Sequence, residues 1–168
     1  MFDESRSSLR IPYKHTVLFI YGTDLDATDA PILYRATDNA TILNQANEDI
    51  QRFSKDNFTS KYAVIITFVN IQKFFKPQEK QSFQAVIASN YNETYVIMNY
   101  AKLTVKATAG FYDNDCEFNK TINFIDGDDS RVLAANSNIG VTGRHVYLLA
   151  SGIGEGIGEG NYLSPLYL

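Results

Sequence analysis

The stretch KYAVIITFVNIQKFFKPQEKQSFQAVIASNYNETYVIMNY, residues 61–100, decides the fold. Within it, YAVIITFV (62–69) is an almost unbroken apolar run rich in Val and Ile, the pattern of a strand covered on both faces. FQAVIA (83–88) and YVIM (95–98) repeat that pattern, and the polar SNYNE (89–93) between them reads as a hairpin turn. Three such strands are not stable alone, so they are expected to form the middle of a larger sheet.

Working outward, TVLFIY (16–21) predicts a strand, GTDLDATD (22–29) an acidic turn, and Ile32 to Arg35 the start of another extended piece. Asp38 or Asn39 can cap a helix running through Arg52. Ile42, Leu43, Ala46, Ile50 and Phe53 recur at helical spacing and give that helix one apolar stripe. Further strands are expected at 103–108, 109–112 and 121–125, a short helical turn at 128–135, and a closing strand at 145–149. Pro77 falls in KPQEKQ, read as a polar loop between strands. The fold class is therefore mainly β (α+β): an antiparallel, sandwich-like sheet core with one packed helix near residues 39–53.

Composition agrees. A chain of 168 residues with 45% hydrophobic and 13% aromatic content can bury a substantial core. Eleven Tyr and eleven Phe favour sheet over helix bundle. The net charge of −4 recommends neither nucleic acid nor an anionic membrane surface as partner. No apolar run reaches the roughly 20 residues a transmembrane helix needs.

Several segments together resemble the NIDO domain, the nidogen-like module of nidogen and of tectorin-like, mucin-like and sushi-containing matrix proteins. They are AVIITF (63–68), SFQAVIAS (82–89), YVIMNY (95–100), AGFYDND (109–115) and SNIGVTGRHVYLL (137–149), in the family's order. Residues 21–50 resemble the family's acidic loop, Tyr-Arg strand end and following helix. Phe68 and His145 stand where members often carry Trp. The resemblance divides the chain into a flexible leader (1–14), a NIDO-like domain (15–150) and a Gly-rich tail or linker (151–168). It implies a non-catalytic, secreted or ectodomain module for cell–matrix adhesion or matrix assembly, with matrix or cell-surface proteins as partners. MFDESRSSLRIPYKHT lacks the apolar segment of a signal peptide, so an extracellular protein of this kind is expected to be represented here by a fragment.

Two features bear on that compartment. Asn-X-Ser/Thr sequons occur at Asn39, Asn57, Asn92 and Asn119, against about two expected by chance from this content of Asn, Ser and Thr. All four fall in predicted turns or element ends, where a glycan is expected to leave the core undisturbed. The lone Cys116 makes no internal disulfide; it either pairs with a segment or chain outside the domain, packs as an ordinary small residue, or stands as an exposed free thiol.

Catalytic signals are absent from the sequence. His15 and His145 have no partner at metal-ligand spacing, and no Gly-X-Ser-X-Gly elbow occurs. GIGEGIGEG (152–160) alternates too strictly for a nucleotide-binding fingerprint. No catalytic residue and no cofactor are therefore named, and a hydrolase would need a carboxylate pair that nothing in the sequence singles out.

Acidic loops are the candidates for calcium: Asp24, Asp26 and Asp29 first, then Asp113, Asp115 and Glu117, then Asp126, Asp128 and Asp129. An EF-hand is ruled out by Phe118 and Phe124 at its required Gly and Glu. The competing explanation is turn chemistry, since Asp hydrogen-bonds its own backbone. A calcium-dependent carbohydrate-binding module is the alternative function. Phe74 and Phe75, between Lys73 and Lys76, are either a partner-anchoring tip or, as expected here, a pair with at least one ring capping the core.

Overall fold

The computed structural model describes residues 17–112, 121–125 and 130–151. The leader 1–14, the tail from 152, Cys116, Asn119 and the acidic residues at 113–117 and 126–129 lie outside them.

Among the described residues, two antiparallel sheets and one α-helix make three layers. The strands are β1 (Val17–Gly22), β2 (Leu25–Asp26), β3 (Ile32–Thr37), β4 (Tyr62–Lys73), β5 (Lys76–Ser89), β6 (Glu93–Lys102), β7 (Thr108–Tyr112), β8 (Thr121–Ile125) and β9 (Arg144–Ser151). The larger sheet runs β4-β5-β6-β9, with β2 and β3 both paired to the outer side of β4; the smaller runs β1-β7-β8. Helix α1 (Ala40–Ser54) starts at Asn39, whose side chain accepts from the N–H groups of Thr41 and Ile42. It stops at Lys55, which takes the left-handed conformation and donates its N–H to Gln51 O.

Period-two alternation assigns the layers. Val86, Ala88, Tyr95, Ile97 and Val146 meet Leu43, Ala46 and Ile50 of the helix, with Phe58 sealing the gap. The alternate residues Phe83, Ala85, Val96, Met98 and Tyr100 face Tyr21 of β1, Ala109 of β7 and the link residues Val105 and Ala107. Tyr100 Oη donates to Ile20 O at 2.6 Å and Tyr21 Oη donates to Val105 O, so two buried phenols tie the layers together. Burial of Tyr100, reinforced by the neighbouring Tyr147 and Tyr21, holds its phenol far above the ordinary range.

Four expectations need correction. The strand covered on both faces is β6, where Tyr95 to Met98 are all buried; Val64 to Val69 of β4 are only half-buried because β4 lies near the sheet's margin. KPQEKQ is strand rather than loop: β4 and β5 continue as a long hairpin, with the ladder shifting between Gln72↔Lys80 and Lys73↔Lys76 so that Pro77 needs no partner on β4. Residues 103–107 are a link, not a strand, anchored where buried Gln81 accepts from Thr104 N–H and donates to Thr104 Oγ1. The helix stripe is narrower than its spacing suggests, since Phe53 reaches the surface. The short helical turn does form, as a 3-10 turn at Ser130–Ala134. His145 is an internal fastener: it is buried, with Nε2 3.0 Å from Leu133 O.

Candidate interaction surface

The β4–β5 hairpin ends in Phe74 and Phe75, and both face solvent, contrary to the expectation that one would cap the core. Phe75 is 90% exposed and Phe74 43%, with ring centroids 4.1 Å apart. Phe75 also has φ of 60°, a left-handed conformation unfavourable for a bulky side chain. An exposed ring and a strained backbone coincide there, and neither contributes to the core. The tip is held in place by Phe74 N–H donating to Asp24 O at 3.0 Å. Lys76 pairs with Glu79 at 3.6 Å along the same arm.

That contact brings the acidic loop beside the tip. Asp26 Oδ1 accepts from Thr28 Oγ1 at 2.6 Å and from Thr28 N–H at 2.9 Å, while Oδ2 accepts from Gln72 Nε2 at 3.1 Å. These bonds, the Thr28 hydroxyl first, hold the Asp26 carboxyl below the usual carboxylate range. Both oxygens of Asp26 thus serve the turn and its attachment to β4. Asp24 and Asp29 are exposed, and among the described residues no three His, Cys, Asp or Glu side chains gather into a set that could hold a metal ion.

The three described sequons lie at the opposite end of the large sheet. Asn39, Asn57 and Asn92 are all exposed. Asn92 lies in the turn between Ser89 and Glu93, Asn57 in the loop leading to Tyr62, and Asn39 just after Thr37, which pairs with Ala63. The intervening length of β4 puts roughly 35 Å between that end and the aromatic tip, at about 3.3 Å per residue. A glycan at Asn39 is compatible with its capping role, because the cap uses Oδ1.

A polar row crosses the helix-facing side of the sheet. Thr67, Gln84, Asn99 and Arg144 occupy one register line on β4, β5, β6 and β9. Gln84 Nε2 donates to Thr67 Oγ1 at 2.7 Å, Asn99 Nδ2 to Gln84 Oε1 at 3.1 Å, and Arg144 Nε to Asn99 Oδ1 at 2.9 Å. Arg144 Nη1 then meets the buried Asp49 of the helix at 2.7 Å. The row fastens helix to sheet, and its members are committed to one another rather than to a reacting group.

The sheet's two margins are treated differently. Along β9, Asn138 mimics a neighbouring strand: Val146 N–H donates to Asn138 Oδ1 at 2.9 Å, and Asn138 Nδ2 donates to Val146 O at 2.8 Å. Ser137 Oγ donates to Arg144 O beside it. Along β3, Ile32, Leu33 and Tyr34 are 50%, 56% and 72% exposed. Sequence reading identified the aromatic tip and the acidic loop, but neither margin. A strand segment such as ILYR carries no sign of whether it lies inside a sheet or at its edge.

A family model described as a nidogen-like domain matches residues 2–151. No curated protein and no solved structure matches the chain.

Proposed function

This chain belongs to the nidogen-like domain family, and from that premise we propose that it is a non-catalytic extracellular module for cell–matrix adhesion or matrix assembly through protein contacts. The observation that carries the reading is the Phe74–Phe75 tip: an exposed aromatic pair, strained at Phe75, on a long hairpin, at the end of the sheet away from the three described sequons. Aromatic side chains of this kind make effective anchors in a partner's pocket, because a large apolar area is desolvated at little cost in side-chain entropy. Glycans at Asn39, Asn57 and Asn92 would leave that end open. The aligned polar row serves packing, which fits a binding role better than a catalytic one.

The test is binding of the domain, secreted from eukaryotic cells, to decellularised matrix with and without chelator. Saturable binding indifferent to chelator and reduced about tenfold or more by Phe75→Ser is expected for loss of one aromatic anchor. Binding abolished by chelator would instead favour the calcium-dependent carbohydrate reading and the Asp24–Asp26–Asp29 loop. Absence of binding would defeat the adhesive assignment.

A further inference from the structure

We propose that the open margin of β3 is a self-association surface, where a second copy of this chain adds its own β3 antiparallel on a two-fold axis through Tyr34. The backbone sets the geometry. Val69 N–H donates to Pro31 O at 3.3 Å, and β3 pairs with β4 from Ile32↔Phe68 to Thr37↔Ala63. Antiparallel alternation then turns the N–H and C=O groups of Leu33 and Arg35 toward β4, and those of Ile32, Tyr34 and Ala36 outward. Three outward-facing residues in an extended strand are a template for another strand. This strand lacks the Lys, Pro and bulges that commonly blunt an edge: its sequence is ILYRAT, and its ladder to β4 is regular throughout.

Self-complementarity identifies the occupant. Only an axis through Tyr34 pairs all three outward residues with one another: Ile32 with Ala36, Tyr34 with Tyr34, and Ala36 with Ile32. An axis through Arg35 would set two guanidinium groups opposite each other, which is unfavourable. With the axis at Tyr34, Arg35 instead lies opposite Leu33, where its aliphatic stem can pack. Large Ile32 meets small Ala36. The two six-stranded sheets would become one continuous sheet, with the exposed Ile32, Leu33 and Tyr34 covered by their own counterparts.

The proposal is separate from the matrix-binding reading and is tested without matrix. Sedimentation of the full chain, both as secreted and after enzymatic deglycosylation, should reveal a concentration-dependent dimer in at least one preparation. Ala36→Pro removes an outward N–H twice per dimer and should weaken association about tenfold or more, with circular dichroism unchanged. In a Cys116→Ser background, Tyr34→Cys should oxidise to a covalent dimer, because facing hydrogen-bonded residues have Cα atoms about 5.5 Å apart, within disulfide range. Ile32→Cys should not, its two copies lying about 13 Å apart along the paired strands. A monomer in both preparations, a dimer indifferent to Ala36→Pro, or cross-linking at Ile32 rather than Tyr34 would overturn the proposal.

Discussion

Two edge strands of the larger sheet, β9 on one margin and β3 on the other, meet the same problem in opposite ways. At β9 the outward N–H and C=O of Val146 are taken up by the amide of Asn138, and Ser137 adds a bond to Arg144 O. Helix α1 and the 3-10 turn pack onto the same strand, leaving His145 and Val146 buried. At β3 large apolar side chains stand in solvent. The difference is that β9 is sealed by residues close to it in sequence, whereas among the described residues β3 forms a ladder with β4 alone. A strand edge is a chemical commitment: its backbone groups need partners, supplied by the same chain or by water and other molecules.

The contrast can be broken from the sealed side first. Arg144→Leu should give the largest effect, because it leaves the buried carboxylate of Asp49 unpaired and ends the polar row at Asn99. Only the Asp49 end of the pair is buried, Arg144 being part-exposed, so the loss is set at the lower end of the range for buried pairs, about 3 kcal/mol, read as a lower urea midpoint at unchanged slope. A midpoint within error of wild type would mean that Asp49 finds another partner or water. Asn138→Ala comes next. It strips two hydrogen bonds from buried Val146 and should cost about 2 kcal/mol, the range for uncompensated backbone groups.

Alkaline pH probes the layer beneath that margin. Burial raises the phenols of Tyr100 and Tyr21 above the unfolded value of 10.0, so folding favours their protonated forms. Their contribution is complete below pH 10 and is lost as the pH rises above it. Thermal melts should therefore show a falling Tm above pH 10, and Tyr100→Phe should make that fall shallower. An unchanged alkaline slope would place the responsible group elsewhere.

The smallest effect is expected on the open side. Tyr34→Thr keeps a strand-compatible residue at a site 72% exposed, so the monomer's stability should stay within about 0.5 kcal/mol of wild type. If dilute, monomeric protein lost more than the Asn138 variant, the β3 margin would not be open.

Much of the fold was legible because it rests on local rules. The Asn39 cap, the Leu43–Ala46–Ile50 stripe, the Ser89–Glu93 turn and the β5 and β6 patterns all follow from spacing and side-chain chemistry. The errors arose where neighbours override local preference. KPQEKQ reads as a loop by composition, yet pairing with β4 makes it strand. Apolar Val64 to Val69 read as core, yet their place near the margin leaves them half-buried. The site was legible in part: Phe74 and Phe75 stand out as residues, but only the bulged hairpin and the bond to Asp24 show that both rings face water.

The amino-acid sequence alone determined the family, the class of fold, the helix with its cap, and the residues able to carry glycans. Each depends on motifs or periodicities contained within a few residues of one another. Tertiary structure alone decided which strand is central, which margin is sealed, and that the three described sequons and the aromatic tip occupy opposite ends. These depend on pairings between segments distant in the chain, such as Asp49 with Arg144 or Thr37 with Ala63, and at β9 on the turn that folds Asn138 back onto Val146. An edge is defined by which neighbour is missing, and no local pattern of side chains encodes that.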